Sequence, residues 1–209
     1  MPEQIFVELR RYVHLLMRYQ RYGNKGLKMS FDRGYWWSVN DNSLRGLEEN
    51  FLSISVRAGP IIRALRNEPQ SGRRTLLIHL LGWSKQTSLT TPIFLKYLED
   101  PNVRFCNAAA RALFPLVAAH KVSIDHRSVL KLLRRRSKYC KNKALGLLSW
   151  MPQLDVDLTH SELIYIKTLT QHEDQRFIAL PARAVMKNYK TRIQHAQRGE
   201  GHSQSSRPL

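Results

Sequence analysis

The sequence predicts an all-α fold, on three observations. Four stretches of the chain resemble one another, at 60–84, 92–116, 128–151 and 163–189. Each pairs two apolar-periodic segments across a short polar turn, which reads as helix, turn, helix. Proline and capping residues then fall where such helices would begin and end.

The N-terminal helix is expected over about 2–22, because Ile5, Leu9, Tyr12, Leu16 and Tyr19 follow helical spacing. A loop is expected from Gly23 to Asn42, then a helix from about Ser43 to Ala58, broken at Gly59-Pro60. The first segments of the four units end at Leu65, Leu98, Leu133 and Leu169, separated by 33, 35 and 36 residues. Eleven residues after each stand Leu76, Ala109, Ala144 and Leu180; fifteen after stand Leu80, Leu113, Leu148 and Ala184. A turn one residue longer in the last unit would put Val185 in the place of Ala184. Spacings of three and four keep these groups on one helical face, and Ala108, Ala109, Ala112 and Ala144 permit close helix approach.

The boundary chemistry agrees. Thr91-Pro92 reads as a helix start, Asp125 as the cap of a helix over about 126–136, and Thr159 with Glu162 as a capping box. Asp100-Pro101-Asn102 is a turn signal, and Pro152 closes a helix after Trp150. Pro115 and Pro181 fall inside second helices and are expected to bend or break them.

The run LEDPNVRFCNAAARALFPL, 98–116, resembles a HEAT repeat of the short, phycobilisome-lyase-like type. Leu98, Asp100, Pro101, Val103, Arg104, Ala108, Ala109, Ala112 and Leu113 carry the resemblance; Asp174, Arg176, Leu180 and Ala184 match more loosely. It implies a right-handed α-solenoid of about four HEAT-like repeats with an N-terminal capping helix. The organisation is then a helical cap with an aromatic loop over 1–59, a repeat array over 60–190 and a disordered basic tail over 191–209. It also implies an Asp–Arg ladder, with Arg104 near Asp100 and Arg176 near Asp174. Arg111 and Arg183, with Lys187, would line the inner surface of the curve.

The charge points to a partner. Thirty-four Lys and Arg stand against 16 Asp and Glu, a formal charge of +18. Residues 123–155 hold eight basic and two acidic groups, +6, and the eight include Arg134, Arg135, Arg136, Lys138, Lys141 and Lys143. The three adjacent arginines, in a turn, are expected to be exposed together. Such a surface attracts polyanions, of which nucleic acid, DNA or RNA, is the commonest; an acidic protein is the alternative partner. Adjacent Trp36 and Trp37 in the aromatic loop point different ways, so at least one is offered to a partner.

Other classes find little support. No apolar run approaches the roughly 18 residues that cross a bilayer. The acidic residues Glu3 and Glu8 argue against a targeting leader, and Cys106 and Cys140 read as core thiols of a reducing cytoplasm. No metal-ligand spacing, phosphate-binding glycine loop or nucleophile motif occurs, so neither cofactor nor metal is expected. One family of alkylpurine DNA glycosylases is built from HEAT-like repeats, but its chemistry needs an acid in the second helices. Those helices offer Trp83, Tyr139 and Trp150 instead. The sequence therefore predicts a non-enzymatic nucleic-acid binder, with an adaptor for an acidic protein as the second reading.

Overall fold

The structure, a computed structural model of the 209-residue chain, describes residues 1–21, 28–32, 35–118, 122–151 and 158–197. At 20–21, 29, 31–32, 35–37, 192 and 195–197 it describes the backbone alone. The described chain is helical apart from one short hairpin. Its elements are α1 (Glu3–Arg21), β1 (Met29–Asp32), β2 (Tyr35–Ser38), α2 (Asn42–Ile54), α3 (Ala58–Asn67) and α4 (Ser71–Leu81). Then come α5 (Thr87–Leu98), α6 (Val103–Ala118), α7 (His126–Leu133), α8 (Lys138–Trp150), α9 (His160–Leu169), a π-helical turn at Gln175–Ala179, and α10 (Leu180–Gln197).

The four expected helix pairs form. Helices α3 and α4, α5 and α6, α7 and α8, and α9 and α10 pack as partners, and the second members stack in order, α4 on α6 on α8 on α10. Helix α1 packs on α2 and α4 at one end. One cluster of buried side chains runs from Phe6 to Val185 and includes Leu76, Leu80, Ala109, Leu113, Ala144 and Leu148, the positions picked out by the repeat in the first three units; in the fourth, Leu180 and Ala184 are exposed and Val185 takes the buried place. Small residues set the spacing: a Cβ added at Gly82 would lie 2.9 Å from the Ala112 Cβ, so the end of α4 rests almost directly on α6.

Capping follows the sequence closely. Asp125 Oδ1 accepts from Arg127 N at 2.9 Å, and Thr159 and Glu162 form the full capping box. Several boundaries differ. Helix α5 begins at Thr87, five residues before Pro92; that proline sits on the exposed face, where the Ser88 carbonyl it leaves unbonded can turn to water. Gly59-Pro60 lies in the first turn of α3, where proline lacks no needed donor, so it opens a helix and does not end one. Helix α7 stops at Leu133, and Arg134 caps it. Pro115 is carried within α6. At Pro181 the strain is relieved upstream by the π turn, in which Ala179 N reaches back to Asp174 O at 3.1 Å. Helix α10 continues to Gln197, so 191–197 is helical and not tail; 198–209 and Pro152 lie outside the described residues.

The expected loop at 23–42 contains an antiparallel hairpin, in register Met29↔Ser38, Ser30↔Trp37, Phe31↔Trp36 and Asp32↔Tyr35. Its anchor is a buried carboxylate. Glu48 of α2 accepts from Ser38 N at 2.9 Å and Ser38 Oγ at 2.8 Å. Burial raises the Glu48 pKa, and the two Ser38 bonds oppose the rise. Strand β2 thereby lies against α2 and α6.

The Gly82 contact yields a prediction. Gly82→Ala must push α4 off α6 and is expected to lose about 1–3 kcal/mol. Gly146→Ala, whose added Cβ would meet only the Phe114 ring at 3.8 Å, is expected to be neutral or to gain about 0.5–1 kcal/mol. Chemical denaturation of the two variants checks the contrast.

Candidate functional site

The stacked second helices bring one polar side chain from each close together. His79 on α4, Arg111 on α6 and Lys143 on α8 are spaced by 32 residues and then 32 again. All three are half-buried: protein surrounds them closely, yet each keeps part of its surface in solvent. Among the described residues none makes a hydrogen bond or ion pair, and the charged neighbours that perturb them are one another and Tyr12. No carboxylate among the described residues balances the row.

That arrangement is electrostatically costly. Burial, and then the Arg111 guanidinium, pull Lys143 down to about 7. Burial, then Arg111 and Lys143, pull His79 to about 3, so its imidazole is neutral at ordinary pH. Burial lowers Arg111 as well, with the Tyr12 hydroxyl opposing. Like charges crowded without counter-ions are what an anion-binding surface looks like before its anion arrives.

Aromatic groups flank the row. On one side Tyr12 of α1 meets Trp83 edge-on at 6.2 Å and Phe51 at 5.3 Å. Burial raises the Tyr12 pKa strongly, against the pull of Arg111. On the other side Phe114, three residues beyond Arg111, meets Trp150, seven beyond Lys143, edge-on at 5.9 Å. One turn before Arg111, the buried Asn107 Oδ1 has no partner among the described residues.

The other sequence-predicted residues divide. Arg135 is not exposed with its neighbours. It folds inward and donates to Asp100 O at 2.6 Å, Glu99 O at 2.9 Å and the Cys106 Sγ at 2.9 Å, closing the carbonyl end of α5. Arg134 and Arg136 stay exposed, Arg134 at 3.8 Å from Glu162. Lys138 pairs with Asp174 at 3.3 Å and lies over the Phe177 ring. Lys141 donates to Tyr165 Oη at 2.8 Å and Leu133 O at 3.2 Å. Arg183 is tied within its own unit to Thr170 O and Gln175 Oε1, and Lys187 is exposed on α10. Of the predicted basic set, then, Arg111 and Lys143 are brought together, while four of the others serve contacts inside the protein. Where the sequence predicts an Asp–Arg ladder, Asp174 pairs with Lys138 from the preceding unit, and Asp100 Oδ1 accepts from Asn102 N. The Trp36 and Trp37 backbone lies on β2, beside α2 and α6, and their side chains lie outside the described residues.

The sequence reading missed His79 and Tyr12 as members of the site. The 32-residue spacing of His79 to Arg111 was a usable signal, hidden because units had been aligned on apolar positions. Among the described residues no group of three potential ligands could hold a metal, and no helix is long and apolar enough to cross a membrane. Cys106 and Cys140 are both buried free thiols. Comparisons with family models, with curated proteins and with solved structures found no match for this chain.

Lys143 makes stability depend on pH. Its folded pKa, about 7, lies below the ordinary lysine value of 10.5, so between those limits the unfolded chain holds more protons. Stability is therefore expected to rise with pH across that window. Lys143→Met is expected to be more stable than the parent by about 2–4 kcal/mol at pH 6, a difference that vanishes towards pH 10. Denaturant melts of the two proteins at pH 6, 8 and 10 check it.

Proposed function

We propose that this chain is a non-enzymatic nucleic-acid-binding protein, a HEAT-like α-solenoid that grips phosphates along the wall formed by its second helices. The observation that carries this reading is the uncompensated row His79, Arg111 and Lys143, on a protein of net charge +18. A surface cation finds a carboxylate partner or remains in water; Arg111 and Lys143 are half-buried and have neither benefit in full. A phosphate diester supplies the missing charge and acceptor oxygens together. With no element of a sequence-reading module in evidence, recognition would rest on backbone and shape.

The basic turn at 134–138 contributes less than its composition suggests, since Arg135 and Lys138 are engaged within the fold. The expected behaviour is salt-sensitive binding to arbitrary oligonucleotides. Arg111→Gln with Lys143→Gln is expected to weaken affinity about 10-fold or more and to reduce the salt slope by about 2. Arg135→Gln is expected to lower thermal stability and leave the slope unchanged. Fluorescence anisotropy titrations at several salt concentrations check both; an unaltered slope in the double variant removes the row from the interface.

A further inference from the structure

Helix α8 carries more than its cation. Tyr139, Lys143 and Trp150 fall at intervals of four and seven residues, which puts all three on one face over about 16 Å of axis. The two rings protrude: Tyr139 is 53% exposed and Trp150 46%. Each is braced from behind by a neighbouring helix or turn, Tyr139 edge-on against Phe177 at 5.8 Å and Trp150 edge-on against Phe114 at 5.9 Å. The cations of the row, Lys143 and Arg111, are recessed, whereas Lys138, 5.8 Å from the Tyr139 ring centroid, is exposed.

Resting on the phosphate-binding reading above, we infer that this face takes a single-stranded nucleic acid, with bases stacked on Trp150 and Tyr139 and the intervening phosphates held by Lys143 and Arg111. The relief of the surface decides between strand types. A duplex presents a phosphate charge about every 1.7 Å of its axis and hides the faces of its bases, so it calls for many protruding cations and has no use for protruding rings. Here the rings stand forward and the cations of the row, Lys143 and Arg111, sit behind them, with Lys138 the exposed cation beside Tyr139. An unpaired strand matches that relief, because its base faces are free to stack while its backbone dips towards the wall. Stacking is indifferent to the sugar, so DNA and RNA strands both qualify.

The test uses the full chain and five probes in anisotropy titrations at low salt: oligo-dT, oligo-U, a duplex, an abasic strand of the same length lacking bases, and polyglutamate. The expected result is that oligo-dT and oligo-U bind about 10-fold tighter than the duplex and the abasic strand. Trp150→Ala and Tyr139→Ala are each expected to weaken oligo-dT by roughly 5- to 100-fold. They should leave the duplex unchanged, while Trp150→Phe, which keeps a ring and the brace against Phe114, retains most of the affinity. An abasic strand bound as tightly as oligo-dT, a duplex bound more tightly, or no loss in either alanine variant overturns the stacking inference and leaves the phosphate reading standing. Polyglutamate bound in preference to every oligonucleotide overturns both.

Discussion

The close approach of consecutive second helices is the constraint on which the rest of this molecule depends. Gly82 against Ala112, and the alanines 108, 109 and 144 buried in the same interfaces, bring α4, α6 and α8 near enough that residues at equivalent positions sit beside one another. Apolar residues at those positions make the continuous core. The row of His79, Arg111 and Lys143 lies on the same stacked helices but keeps its own spacing, 32 and 32 residues against 33 and 35 for the apolar positions. The charge pattern therefore does not follow from stacking the leucines; the close approach of the helices brings these three side chains within reach of one another.

Such packing opposes the charges it gathers. Among the described residues nothing neutralises the row, and burial lowers the pKa of both Lys143 and Arg111. Elsewhere the chain satisfies its cations carefully. Arg135 meets three backbone carbonyls, Lys141 a tyrosine hydroxyl and a carbonyl, and Lys138 a carboxylate and two rings. The contrast between these finished contacts and the bare row is more informative than the total charge. Charge density alone would favour the basic turn, where lysines and arginines crowd in sequence but Arg135 and Lys138 are engaged within the fold.

Much of the fold was legible because it is written in periodicity. The spacing of Leu65, Leu98, Leu133 and Leu169 gave the helix pairs, and short-range chemistry at Asp125 and Thr159 gave helix starts to the residue. The errors have physical causes. Pro92 was read as a helix start because proline favours first turns, yet an exposed position lets it sit deeper at little cost. The hairpin was read as loop, although aromatic residues on both sides of Arg33-Gly34 are a strand signal; its anchor, Glu48, is a long-range contact no local pattern announces. Arg111 and Lys143 were legible as inner-face candidates, whereas the inward fold of Arg135 depended on where the end of α5 would lie. His79 escaped notice because a lone histidine looks ordinary until its neighbours in space are known.

The Arg135 contact carries a consequence for how the chain can be cut. Its guanidinium belongs to the turn between α7 and α8 but closes the carbonyls that end α5, a whole unit earlier. Neighbouring pairs of helices are therefore not interchangeable bricks. A shortened protein ending before residue 135 would expose the terminal peptide groups of a helix it still contains, and a transplanted second unit would need this arginine supplied by whatever follows it.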